Sequence, residues 1–245
     1  MTKFFGRKTI PGLALFCAYL LLHVGTASAA KVEMERTNGR IMPAPILLVG
    51  TYDGQNRPDI CIVDRAGIAA AVGGRKKIYV YVSLAPERQT SKNIESSGAF
   101  TINMPGSGHI AETDFCGTVS AVSGDLYIDK FGITGLTPQR ADLVDAPMVR
   151  EFPVSMECKV VRSKTFGEGS HRMYIAEVLR VWIDEDVMNG PQDRFPGYPN
   201  PKKARTVVYS PGGGEGYGYY EIGELLGRPE SLYESKYPNG PEVAK

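Results

Sequence analysis

The sequence predicts a mainly β protein folded as a closed barrel with a few short helices, and three observations support this. Short apolar or alternating runs of strand type recur at close spacing. Gly- and Pro-rich turns separate them. Alternating βα units, which would point to a doubly wound parallel sheet, are absent.

Residues 1–29 read as a removable secretory signal. Lys3, Arg7 and Lys8 precede the apolar run Leu13–Leu22, and Ala27-x-Ala29 suits a signal peptidase. The run is too short for a membrane span, and no other long apolar stretch is present, so the mature chain is expected to be soluble and exported, periplasmic or secreted. Phe16 stands where a lipid-attachment signal at Cys17 would need a small residue. Residues 30–245 are expected to form one domain.

Ala44–Tyr52 is a strand run ending in Asp53-Gly54-Gln55-Asn56, a hairpin turn from which Ile60–Val63 returns. In Lys77–Ser83, Ile78, Val80 and Val82 alternate with Tyr79 and Tyr81, the period of a strand. Gln89–Ser97 predicts two helical turns stopped by Gly98. Ala99–Asn103, Val154–Val161, Arg172–Ile183 and Thr206–Tyr209 predict further strands, the last of them final. Residues 184–203, with Pro191, Pro196, Pro199 and Pro201, predict a loop or lid. Gly212-Gly213-Gly214, in a glycine cluster over 212–218, reads as a flexible turn, and Tyr219–Leu226 as a short amphipathic helix closed by Gly227.

Charge and cysteine usage narrow the function. The mature chain keeps 25 Lys+Arg (28 less Lys3, Arg7 and Lys8) against 27 Asp+Glu, a balance without a basic footprint for nucleic acid. Cys61, Cys116 and Cys158 remain, an odd count that leaves at least one free thiol. No Cys-x-x-Cys pair, Walker A loop or Gly-x-Gly-x-x-Gly is present.

Three stretches carry chemistry. Ser83–Thr90 runs from a strand end into a helix start. Ser83, Arg88 and Thr90 there suit a phosphate, and equally suit plain helix capping with an exposed arginine. His109, Glu112, Asp114 and Cys116 are ligand types, but their spacing matches no common metal frame, and Phe115-Cys116-Gly117 reads as a packed turn; no metal site is expected. His171 stands at the mouth of the longest strand, as an acid, a donor to a ligand, or a turn residue.

Taken in order, these segments resemble the flavin reductase-like family of FMN-binding split barrels, most closely its flavoredoxin branch. The resemblance rests on Pro45–Thr51, Pro58-Asp59-Ile60, Ala66-Gly67-Ile68, Ser83–Thr90, Phe100-x-x-Asn103-Met104-Pro105, Asp114–Gly117 and Asp129-Lys130-Phe131. It continues through Gly135-Leu136-Thr137, Pro153-Val154-x-Met156-Glu157-Cys158, His171–Val178 and Tyr219–Gly223. It implies a Greek-key split β-barrel and a homodimer with FMN near the subunit interface. Ser83, Arg88 and Thr90 would hold the FMN phosphate, with Lys130 a further phosphate or ribityl candidate. Val63, Asp64, Arg65 and Ala66 would run beside the flavin, and His171 would lie near its ring or the donor site.

The chain departs from the family pattern at Asp59, where Asn is common, at Arg65, where an aromatic is common, and at Ala85, where a second Arg is common. Losing that cation is worth about 1–3 kcal/mol of FMN binding. Asp64 would oppose a flavin anion; Arg65 either pairs with it or replaces the missing cation. The expectation is an exported FMN redox protein fed by a redox partner protein or a small-molecule donor. The alternatives are an NAD(P)H-dependent flavin reductase, and a split barrel that has lost FMN and binds another ligand or a protein.

Overall fold

Residues 53–56 turn the chain as their composition demands. Asn56 takes a left-handed conformation (φ 60°), and Asp53 Oδ1 accepts the N–H groups of Gln55 and Arg57, each at 2.9 Å. This hairpin joins β2 (Leu47–Tyr52) to β3 (Pro58–Val63), in register from Leu47 opposite Val63 to Tyr52 opposite Pro58. The computed structural model describes residues 42–74, 77–123, 126–167, 169, 171–193, 195–213 and 216–224, together with 31 and 33. The expected signal peptide lies outside them. All of the described strands and helices belong to the unit Gly39–Lys245.

After β3 come β4 (Ala66–Val72), β5 (Lys77–Leu84), α1 (Gln89–Ser97) and β6 (Ala99–Met104). Next are α2 (Ile110–Thr118), β7 (Val122–Ser123), β8 (Leu126–Tyr127), α3 (Lys130–Thr134), β9 (Pro138–Arg140) and β10 (Pro147–Val149). The chain continues through the long hairpin β11 (Val154–Thr165) and β12 (Arg172–Ile183), then β13 (Val207–Gly213) and β14 (Gly216–Glu221). β1 (Ala44–Pro45) pairs with β13, completing a three-stranded sheet β1-β13-β14.

The main sheet is antiparallel with order β3-β2-β6-β11-β12-β5-β4. One face of every strand points to a single core that includes Val49, Cys61, Val82, Phe100, Ile102, Cys158 and Tyr174. Seven strands sharing one interior must curl, so the sheet is a barrel. Its first and last strands, β3 and β4, are consecutive in the chain and joined by Asp64 and Arg65. Among the described residues no ladder links them; Ser83 N–H donates to Arg65 O at 2.9 Å instead. The expected closed barrel is therefore split along this seam. A second core of Leu48, Ile60, Cys116, Phe131, Leu136, Val149 and Phe152 lies where α2 and α3 cover the outer face of β2 and β3.

Two expected elements differ. Tyr219 and Tyr220 lie in β14 rather than in a helix, because Tyr219 faces Tyr209 and Tyr220 faces Val208 across a ladder that a helix could not satisfy; residues 225 and 226 lie outside the described ones. Phe115-Cys116-Gly117 is part of α2 rather than a packed turn, since the buried positions Thr113 and Cys116 sit one helical turn apart against β3. Gly117 allows that approach, for a Cβ there would strike the Ile62 side chain.

Gly50 in β2 has a comparable role, since its missing Cβ would fall on the Pro147 carbonyl oxygen and Thr101 Oγ1. Gly50→Ala is expected to cost about 1–3 kcal/mol, the usual scale of overpacking. That lowers the thermal midpoint by about 2–4 °C per kcal/mol in a domain of this size. An unchanged thermal unfolding curve would refute it.

Candidate functional site

The barrel seam opens into a cleft of about 540 Å³, within the range of cofactor pockets. Its floor is the end of β3, from Cys61 to Val63, continuing into Asp64 and Arg65. Ser83 and Arg88 line it from the β5–α1 junction, and His171 from the start of β12, beside Arg172, which pairs with Leu84 of β5.

The β5–α1 junction is built for an anion. Pro86 sits in a turn closed by the Arg88 N–H donating to Ala85 O at 3.1 Å. Arg88 is then the N-cap of α1, in extended conformation, and makes no side-chain cap bond. A guanidinium has no acceptor, so it cannot cap the first-turn N–H groups. Neither nearby hydroxyl fills the gap: Ser91 Oγ donates to Ala85 O at 2.9 Å, and Thr90 Oγ1 donates to Asp59 Oδ2 at 2.6 Å. The start of the helix thus sets one cation, Arg88, on the cleft, beside Ser83 and Glu87.

Thr90 and Lys130 take other places than the resemblance implied. Both are buried, and neither lines the cleft. Lys130 Nζ stands 2.9 Å from Asp59 Oδ1 in an ion pair, and donates to Ile60 O at 2.6 Å and Cys116 O at 3.4 Å. Asp59, Lys130 and Thr90 thus tie β3, α3 and α1 together beneath the site. Ala66 is likewise buried in the barrel core, and Val63 lines the cleft with Asp64 and Arg65. The two open roles for Arg65 resolve into one: its Nη1 pairs with Asp64 Oδ1 at 3.0 Å, which neutralises that carboxylate.

The far wall comes from residues that sequence reasoning did not bring together. Tyr209 of β13 and Tyr219 of β14 face each other with ring centroids 5.6 Å apart. The Tyr219 hydroxyl donates to Asp114 Oδ1 on α2 at 2.7 Å. Burial, and then that carboxylate, push the tyrosine pKa up, so Tyr219 keeps its proton. The signal was the period-two pattern Gly216-Tyr217-Gly218-Tyr219, which reads as a strand once the glycines are taken as strand positions.

Among the described residues, no group of three His, Cys, Asp or Glu is placed to hold a metal ion. Asp114 is used by Tyr219, and Cys116 is buried in the outer core. Cys61, Cys116 and Cys158 are all free and buried. Burial raises the thiol pKa of each, that of Cys116 to about 12, which disfavours a thiolate redox role. None of the described helices is long and apolar enough to cross a membrane.

Known proteins share this fold. The family model for the flavin reductase like domain matches residues 39–199. The flavoredoxin of Desulfovibrio vulgaris (Miyazaki F) superposes with a TM-score of 0.69 at 31% identity, over 82% of this chain and 98% of its own. Flavoredoxin from Methanosarcina acetivorans gives 0.68 at 22% identity, over 84% and 100%, a likeness of fold. An uncharacterized protein of Pyrococcus abyssi (strain GE5 / Orsay) is 30% identical over 111 residues, 45% of this chain. The match spans 60% of that relative's length.

Proposed function

This chain belongs to the flavin reductase-like domain family, and on that premise we propose that it is an exported FMN-binding redox protein that takes electrons from a partner protein or small-molecule donor and passes them on. One observation carries the reading. The cleft at the barrel seam joins the β5–α1 junction, with Ser83 at the strand end and Arg88 at the helix start, to an aromatic wall, and so suits a ligand with a phosphate at one end and a planar ring at the other. The flavoredoxin of Desulfovibrio vulgaris, similar over most of its length, supports it.

Bound FMN would supply the electron chemistry, and the protein its orientation and electrostatics. The first-turn amides of α1 and Arg88 would hold the phosphate. The β3 backbone from Val63 to Arg65 would run along the ribityl and ring. Asp64, already neutralised by Arg65, would add little repulsion. A homodimer is part of the proposal: Ile68 and Val72 on β4, and Leu179, Val181 and Trp182 on β12, leave large apolar side chains at the surface for a second copy.

Protein purified from its native compartment is expected to be yellow, with the flavin band of roughly 450 nm typical of free flavins and lost on reduction. Colourless protein that takes up no added FMN would overturn the reading and favour a barrel serving another ligand. The family description also supports an NAD(P)H-dependent flavin reductase. Mixing the FMN-loaded protein with NADH and with NADPH separates the two readings: rapid bleaching of the band identifies a reductase, and persistence of the colour a carrier fed by another donor.

A further inference from the structure

We propose that the β13–β14 hairpin, which lies beyond the residues matched by the family model, positions the flavin ring through Tyr209 and Tyr219 and is latched over the cleft by Asp114. The inference rests on the FMN reading of the same cleft and assigns its ring end.

The hairpin is held at two places in its base half. At its base, Ser107 Oγ donates to Glu221 Oε2 at 2.5 Å, and Arg205 Nε pairs with the same oxygen at 3.3 Å. Ser107 N–H donates to Arg205 O at 3.0 Å, which ties the base to the segment after β6, and Ile222 N–H donates to Thr206 O at 2.9 Å, which closes the two strands on each other. At the cleft, the latch is the Tyr219 hydroxyl on Asp114, 105 residues away in sequence.

That bond has a consequence for what the tyrosine offers. With its hydroxyl used by Asp114 and its proton retained, Tyr219 presents its ring rather than a polar tip to the cleft. Tyr209, 5.6 Å away at an interplanar angle of 59°, extends the aromatic surface. Apart from His171, these are the aromatic side chains among the residues lining the cleft. The phosphate-binding features come from a different element that lines the same cleft, the β5–α1 junction. A ligand whose phosphate sits on α1 must lay its ring along β3, and the hairpin supplies the aromatic surface there.

The test is a titration of FMN into flavin-free wild-type protein and the variants Tyr209→Leu, Tyr219→Leu and Tyr219→Phe, following both affinity and flavin emission. A tyrosine stacked on a flavin quenches its fluorescence, a readout that a merely structural hairpin would not move. Each Leu variant is expected to bind FMN about 2- to 12-fold more weakly, the scale of one aromatic contact, and to leave the bound flavin brighter. Tyr219→Phe keeps the ring but loses the latch, so it is expected to retain quenching at reduced affinity, which guards against a Leu variant that fails to fold. Equal affinity and emission in all four proteins would overturn the inference and leave the FMN reading standing, as would weaker binding with no rise in emission. Failure of the wild-type protein to bind FMN would overturn both.

Discussion

Lys130→Met is expected to remove about 3–5 kcal/mol of folding stability, the usual result of stripping one partner from a buried ion pair. Lys130 and Asp59 are each 2% exposed at the side chain, with 2.9 Å between charged atoms. Methionine fills the stem's volume but leaves Asp59 charged, desolvated and supported by Thr90 alone. The carbonyls of Ile60 and Cys116 lose a donor as well. Urea unfolding measures the loss directly. Adding Asp59→Asn is expected to restore a large part of it, since an amide can remain buried with Thr90 and needs no counter-charge. A single-variant loss below about 1 kcal/mol, or a double variant no better than the single, would show that the pair is not what holds α1 and α3 to β3.

Arg88→Ala is expected to weaken FMN binding by about 1.5–3 kcal/mol, or roughly 10- to 150-fold, the range for a hydrogen bond to a charged group. The change falls on the ligand rather than the fold, since Arg88 makes no side-chain cap bond to α1; stability should stay within about 0.5 kcal/mol. Arg65→Ala offers the comparison. Its guanidinium is engaged by Asp64 at 3.0 Å, so it has less to give a phosphate, and its removal is expected to weaken FMN less. The reverse order in a fluorescence titration would place the phosphate nearer Arg65 than the α1 N-terminus.

The elements read correctly from the sequence are those whose local signal and tertiary role agree. β5 alternates because one face lines the barrel core. α1 occupies the expected span, ended by Gly98 in the left-handed conformation at φ 67°. The strand state of β4 was not read from the sequence, because Ala66–Val72 is rich in alanine and is held extended by pairing with β5. α2 was illegible because the side chains it buries, Thr113 and Cys116, mark no apolar stripe. β14 carried aromatic residues that suit either a short helix or a strand, and its partner β13 decided.

The sequence by itself determined the strand-rich class, the β2–β3 hairpin and the limits of α1, and it singled out Val63, Asp64, Arg65, Ser83, Arg88 and His171, which the structure places on one cleft. Neighbours in sequence stay neighbours in space, so a strand end running into a helix start carries its own geometry. Only the tertiary structure decided the directions of Thr90 and Lys130. Both had the right chemistry for a phosphate, but the buried carboxylate of Asp59 drew them inward, because an unpaired charge in the core costs more than a lost ligand contact. It alone also brought Tyr209 and Tyr219 onto the cleft with Asp114, since partners about a hundred residues apart meet only when the hairpin docks.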